Sequence, residues 1–145
     1  KDGEHQVKRS LTCNRDEARR LIAGDLRWML DRPEPFAREM HAFISINGYR
    51  PKAVVEYRRR AFVGQENRTR ITFDSEIRGT ETNVNIFDER LCTHPVFDPF
   101  NVILEVKYNG FLMSYVKDQI NSVEKRPLSV SKYALCRDTT MGFQF

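Results

Sequence analysis

The stretch that decides the fold is AVVEYRRRAFVGQENRTRITFDSEIR, residues 53–78. Two runs rich in β-branched and aromatic residues flank a polar turn at residues 64–67. Within each run the side chains alternate in character with a period of two. Because such alternation around a short turn is typical of paired strands, the stretch predicts an antiparallel β-hairpin.

The cations of this hairpin occupy both parities of its first strand, so neither face is purely apolar. One parity of that strand contains Tyr57, Arg59 and Ala61, and the other contains Glu56, Arg58 and Arg60. On the second strand Arg68, Arg70, Thr72 and Asp74 alternate with Thr69, Ile71 and Phe73. Two interpretations remain open: an exposed sheet with cross-strand ion pairs, such as Glu56 with an opposing arginine, or a face that binds an anion. Asp74 is expected to brace Arg70.

A second strand pattern, NVILEVKY at residues 101–108, separates apolar from charged residues. Its apolar set is Val102, Leu104, Val106 and Tyr108, and its other set is Asn101, Ile103, Glu105 and Lys107. Burying a carboxylate and an ammonium costs several kcal/mol each unless they are partnered. The pattern therefore predicts either a structural ion pair or the wall of a polyanion site, in which the carboxylate holds a divalent metal.

The remaining patterns predict further strands and the helices that connect them. The sequence predicts strands over residues 1–12, 82–88 and 128–136, and helices over residues 14–24, 36–46 and 111–125, with a short helical turn around residues 25–30. The first helix has Asn14 as its N-cap, Glu17 for a capping box and Gly24 as its stop. We expect one domain over residues 1–145.

Composition limits the class of protein. The 145 residues are 40% hydrophobic and 30% charged, with a net charge of +4, which is typical of a globular chain that favours anionic partners. Three scattered cysteines and three histidines predict neither a disulfide framework nor a zinc site. No run is long enough to span a membrane, and we expect a cytoplasmic protein, membrane-associated only through regions outside this chain.

The motifs VEYRRRAF, RTRITFD, VILEVKYNGFL and SVSKY occur in this order, and together they resemble the VTC (vacuolar transporter chaperone) domain. That family belongs to the CYTH-like triphosphate tunnel enzymes. The resemblance implies an α+β fold with an antiparallel β-tunnel and flanking helices. It also implies synthesis of inorganic polyphosphate from ATP, with Mn²⁺ or Mg²⁺ as the metal.

Carried over by motif, the resemblance implies a set of site residues. The phosphate ligands are Lys8, Arg59, Arg70, Lys107, Ser131 and Lys132, of which Arg59, Arg70 and Lys132 are the catalytic candidates. Glu105 matches the metal-binding glutamate, and Tyr57 supports Arg59 on the same strand face. The expected partners are ATP, triphosphate or polyphosphate.

Part of the family's pattern is missing, and three alternatives to the synthase stay open. The family's first tunnel strands have no counterpart here, so we expect this chain to be the C-terminal part of the domain, completed by a missing segment or by another chain. A tunnel of this kind can also hydrolyse triphosphate or only bind polyphosphate. Outside the family, a basic and aromatic sheet could bind nucleic acid, although a closed tunnel would not expose the surface that a nucleic acid needs.

Overall fold

The structure, a computed structural model, describes residues 8–127, 129 and 131–140, which divide into two units between Lys52 and Ala53. In the first unit, α1 spans Arg15–Ile22 and α2 spans Pro35–Asn47, with a 3-10 turn at Arg27–Met29 between them. All three predicted helical segments are therefore confirmed. Their core contains Leu26, Trp28, Met29 and Ala37.

The ends of α1 follow the predicted capping chemistry. The Asn14 side chain accepts a hydrogen bond from the Glu17 backbone N–H at 2.9 Å, and the Glu17 carboxylate accepts one from the Asn14 N–H at 2.8 Å. Gly24 has a φ of +83°, a left-handed conformation that glycine adopts without a steric penalty.

The strand predicted over residues 1–12 is wrong for the described part of that segment. Residues 8–14 have no regular structure, and residues 1–7 lie outside the described residues. Side chains hold this segment instead: Leu11 and Cys13 pack on the core of the first unit, and Arg9 pairs with Glu39 at 2.6 Å.

The second unit is built on the predicted hairpin. β1 spans Val54–Val63, β2 spans Arg70–Thr80, and the two pair antiparallel. The register shifts opposite Glu56 and Arg58, where Glu76 takes a φ of +51° as the extra residue of a bulge on β2. The first strand has no extra residue, so the alternation of its side chains is preserved.

β2 is the central strand of an open sheet. β3, His94–Pro95, pairs with one end of β2, and β4, Ile103–Lys107, pairs with the other end. β1 and β4 are edges within the described residues. The expected α+β class is confirmed, with four antiparallel strands and four α-helices in the described part of the chain, consistent with an incomplete tunnel.

The strand predicted over residues 82–88 is wrong, because short polar side chains capture its backbone. The Asn83 side chain accepts from the Asn85 N–H at 2.9 Å, and the Asn85 side chain accepts from the Phe87 N–H at 3.1 Å. Asp88 repeats the pattern with Arg90 at 2.9 Å. These local bonds compete with ladder pairing, so the segment forms successive turns.

The helix predicted over residues 111–125 is confirmed as the shorter α3, Ser114–Asn121, which buries Val116. The strand predicted over residues 128–136 is wrong for the described part of that segment, because α4, Lys132–Thr140, occupies its second half. Residues 128 and 130 lie outside the described residues. Ser131 caps α4, since its side chain accepts from the Ala134 N–H at 3.3 Å. Lys132 and Cys136, four residues apart, both face the sheet, and this helical spacing replaces the alternation that predicted a strand.

Among the described residues, none of the helices combines the length and the apolarity that crossing a bilayer requires.

Candidate functional site

Three cross-strand rungs place the predicted site residues on one face of the sheet. Directly opposed residues of antiparallel strands point to the same face. The rungs are Arg59–Asp74–Ile103, Ala61–Thr72–Glu105 and Val63–Arg70–Lys107. We call this surface, together with Tyr57 of β1 and Lys132 of α4, the cationic face.

Asp74 is the buried centre of this face. Its carboxylate accepts hydrogen bonds from Arg59 Nε at 2.6 Å and Arg59 Nη2 at 2.7 Å, in the bidentate geometry that suits a guanidinium. Lys132 Nζ lies 2.7 Å from the same carboxylate, whose side chain is only 1% exposed. The expectation that Asp74 braces Arg70 is therefore wrong; the carboxylate braces Arg59, the residue opposite it across the hairpin.

The ionisation of this cluster follows from those bonds. Hydrogen bonds from Arg59, and to a smaller extent from Lys132, lower the pKa of Asp74 to about 2, although burial opposes the shift. The same hydrogen bonds raise the pKa of the Arg59 guanidinium. Asp74 and Arg59 are therefore both charged at neutral pH.

Tyr57 joins Arg59 and Lys132 through its ring. The ring centroid lies 5.1 Å from the Arg59 guanidinium carbon and 4.8 Å from Lys132 Nζ. Both distances are within the range of a cation–π interaction. The structure thus brings Tyr57 into contact with Arg59, as the resemblance implies, and also with Lys132.

Glu105 both pairs with Lys107 and belongs to the cationic face. The two side chains lie 2.9 Å apart, with Glu105 44% exposed. The hydrogen bond from Lys107 lowers the pKa of Glu105, and the charges of Arg59 and Lys132 lower it further. The structural ion pair is therefore confirmed, the carboxylate remains accessible, and its part in a polyanion site stays a prediction.

Arg70 and Lys107 form a rung of like charges, which is destabilising unless an anion lies between them. This rung is four residues along β2 from the Arg59 rung, a distance of roughly 13 Å at about 3.3 Å per residue. Cations at both ends of such a span suit an extended anion better than a single phosphate group.

Two predicted ligands are not members of these rungs. Ser131 is an exposed residue at the N-terminus of α4, beside Lys132, where helix N–H groups favour anions. Lys8 is an exposed residue of the irregular segment ahead of α1, in the first unit. Its part in the site stays a prediction.

The opposite face of the sheet behaves as an ordinary charged surface. Arg58 pairs with Glu76 at 3.1 Å, and Arg78 lies 3.5 Å from Glu56, the cross-strand couple that the sequence suggests. The ion-pair interpretation therefore describes these arginines. It also separates Arg58 from Arg59, so the consecutive arginines of β1 do not form a single basic platform.

Two buried residues of the cationic face have surroundings that the sequence does not predict. Asp74 pairs with Arg59 and not with Arg70, and a hairpin register that opposes Asp74 to Arg59 is the signal that reveals this pair. The hydroxyl of Thr72, which is 2% exposed, has no hydrogen-bond partner among the described residues. Thr72 lies on this face between Ala61 and Glu105.

The chemistry of the carboxylates limits how a metal can bind. Within the described ranges, no group of three or more acidic, histidine or cysteine side chains is arranged to hold an ion. Asp74 already pairs with two side-chain cations, Arg59 and Lys132. Glu105 is therefore the carboxylate of this face that can contact a metal ion. This fits Mg²⁺ or a similar ion, which takes one or two carboxylates together with substrate phosphate oxygens.

Comparison with known proteins identifies the family to which the chain is similar. The family model described as "VTC domain" matches residues 1–141, which include every residue of the cationic face. No curated protein and no solved structure matches the chain.

Proposed function

Because this chain belongs to the VTC domain family, which is associated with polyphosphate synthesis, we propose that its cationic face transfers phosphoryl groups from ATP to inorganic polyphosphate. One observation carries the proposal. Arg59, Arg70, Lys107 and Lys132 share one face with Glu105, and their charges exceed those of its carboxylates. Phosphoryl transfer depends mainly on positioning and on neutralisation of oxygen charge, which such a face supplies.

The roles follow from the side chains. Arg59 and Arg70 offer planar forks that can bind two phosphate oxygens at once, and Lys107 and Lys132 act as point charges. Lys8 and Ser131 are proposed as further phosphate ligands. A terminal oxygen of polyphosphate attacks the γ-phosphorus of ATP, the bond from that phosphorus to the β–γ bridging oxygen breaks, and ADP leaves with the electron pair.

Glu105 is the proposed metal ligand. It would hold Mg²⁺ or Mn²⁺ together with substrate phosphate oxygens. The ion would supply charge neutralisation on the transferred group and on the departing ADP. Lys107, hydrogen-bonded to Glu105, keeps that carboxylate ionised.

The test is to incubate the purified protein with ATP and either Mn²⁺ or Mg²⁺. Polymer on a gel together with ADP supports the synthase. Release of phosphate without polymer would replace it with a triphosphate hydrolase, and saturable binding without turnover would replace it with a polyphosphate-binding module. Heat-denatured protein in the same buffer is the control for metal-catalysed hydrolysis of ATP.

A competition experiment addresses nucleic acid as a partner. We expect tripolyphosphate to displace a labelled polyphosphate chain at lower concentrations than single-stranded RNA or DNA of equal charge. Preference for the oligonucleotide would favour a nucleic-acid module instead.

The proposed use of ATP as the phosphoryl donor also favours the cytoplasm as the site of action.

A further inference from the structure

Asp74 joins three elements of the second unit at one carboxylate. It belongs to β2, and it receives hydrogen bonds from Arg59 of β1 and an ion pair from Lys132 of α4. Its position is fixed by the ladder, where its Cα opposes those of Arg59 and Ile103. The carboxylate cannot leave easily, because its side chain is 1% exposed and its backbone lies in the central strand.

The cations that Asp74 holds keep most of their donors. A guanidinium has five N–H donors and an ammonium has three. Arg59 gives two donors to Asp74, and Lys132 makes one contact with it. The remaining donors of both groups are available to another acceptor, and the three groups together keep a net positive charge.

We propose that Asp74 is a positioning residue, whose buried carboxylate holds the Arg59 guanidinium and the Lys132 ammonium side by side so that both bind one polyanion. This inference rests on the proposed function. It assigns to Asp74 a role distinct from binding, since a carboxylate repels phosphate. The gain is preorganisation: two long side chains that are already ordered lose less rotamer freedom when the anion binds.

Two other roles for Asp74 predict different effects of its substitution on phosphate binding. If Asp74 were a competing anion that occupies the cations, its neutralisation would tighten the binding of phosphate. If it served only to attach α4 to the sheet, breaking another attachment of α4 would have the same effect. Such an attachment exists, because Arg137 of α4 pairs with Glu81 at 2.8 Å and both side chains are largely buried.

The experiment compares Asp74→Asn with Glu81→Gln. Each change replaces a carboxylate that pairs with a side chain of α4 by the corresponding amide. Inorganic tripolyphosphate is the probe, and its affinity is measured by calorimetry in 0.15 M and 0.5 M NaCl. The higher salt shortens the screening length from about 8 Å to about 4 Å and suppresses the long-range gain from removing a negative charge. Alkylation of Cys136, which is fully buried on α4, reports the docking of the helix in each variant.

We expect Asp74→Asn to weaken tripolyphosphate binding about tenfold or more at 0.5 M NaCl, and Glu81→Gln to change it less than threefold. Tighter binding by Asp74→Asn would show a competing anion and overturn the inference. Equal losses in the two variants, with equal alkylation of Cys136, would overturn it as well. A wild-type chain that binds no tripolyphosphate refutes the proposed function and this inference with it, whereas either earlier result refutes the inference alone.

A second measurement keeps Asp74 in place, should its variant not fold. Arg59→Gln and Lys132→Gln are compared singly and together. If one carboxylate positions both cations, loss of either leaves the other neutralised by Asp74, so each single variant already removes the net positive charge of the cluster. The double variant should then bind at least threefold more tightly than the product of the single losses predicts. Independent, multiplying losses would overturn the inference.

Discussion

The close packing of α4 on β2 makes Gly79→Ala the most informative substitution for the fold around the site. A Cβ at Gly79 would lie 2.5 Å from Cys136 Sγ, 3.1 Å from Cys136 Cβ and 3.3 Å from the Val54 carbonyl oxygen. The first distance is well inside van der Waals contact. The carbonyl belongs to a paired strand and cannot retreat, so α4 must move.

The magnitude follows from two opposing terms. Overpacking of a well-packed contact costs about 1–3 kcal/mol, and this contact is at the severe end. Replacing glycine by alanine returns about 0.4–1 kcal/mol by restricting the unfolded chain. We therefore expect Gly79→Ala to lower the free energy of unfolding by about 2 kcal/mol. With a urea m-value of about 1–3 kcal/mol/M, the unfolding midpoint falls by about 1 M.

The assay is urea unfolding followed by far-UV circular dichroism, combined with alkylation of Cys136. Gly64→Ala is the matched control, because its added Cβ meets Thr69 Cβ at 3.6 Å, an ordinary contact. We expect this control to stay within about 0.5 kcal/mol of wild type. Cys136→Ala should rescue Gly79→Ala, so that the double variant is at least about 1 kcal/mol more stable than the sum of the single effects. A fully stable Gly79→Ala, or a strictly additive double variant, would refute this packing.

Three further predictions concern the charges of the cationic face. Arg59→Lys removes the bidentate fork and should weaken tripolyphosphate binding, measured by calorimetry, about tenfold. Arg60→Lys, on the opposite face, should change this affinity less than twofold. Equal effects of the two substitutions would contradict the assignment of faces. Glu105→Gln should abolish most of the metal-stimulated turnover of ATP but leave metal-free tripolyphosphate binding within threefold; unchanged turnover would remove Glu105 from the metal site. Asp74 has its pKa lowered from 3.8 to about 2 in the folded state, so its stabilisation is present above about pH 4 and is lost as the pH falls towards 2. Unfolding measured between about pH 5 and 2 should therefore show a loss of about 2 kcal/mol that Asp74→Asn lacks, and parallel pH profiles would argue against the cluster.

The sequence predicts those parts of the fold whose signals are local. The capping box at Asn14 and the turn between the runs of β1 and β2 act over a few residues, and both predictions are confirmed. The first part of α4 is ambiguous at this range, because Ser-Lys-Tyr-Ala-Leu-Cys, residues 131–136, fits a strand by alternation and a helix by the spacing of Lys132 and Cys136. Tertiary packing decides for the helix, since Cys136 fits against Gly79, where a side chain is absent.

The candidate site also combines features that local signals predict with features that depend on distant parts of the chain. Strand parity is a local property, and it correctly places Tyr57 with Arg59 on one face of β1 and Glu105 with Lys107 on one face of β4. The partner of Asp74 is not local, because it depends on the register of the hairpin and on the bulge at Glu76. A shift of one residue would have moved the carboxylate to the other face.

The two ends of the cationic face differ in how their charges are compensated. At one end Arg59 and Lys132 already share the buried carboxylate of Asp74, so this end is ordered before any anion arrives. At the other end Arg70 opposes Lys107, and the half-buried Glu105, which pairs with Lys107, offsets that repulsion. A rung of like charges is a local cost that folding alone does not require, and such conflicts in natural proteins concentrate at functional sites. If a polyanion binds along the face as proposed, it relieves the repulsion at the second end while the first end fixes its position. Specificity for the length of the polyanion should then depend on Arg70 and Lys107 more than on Arg59.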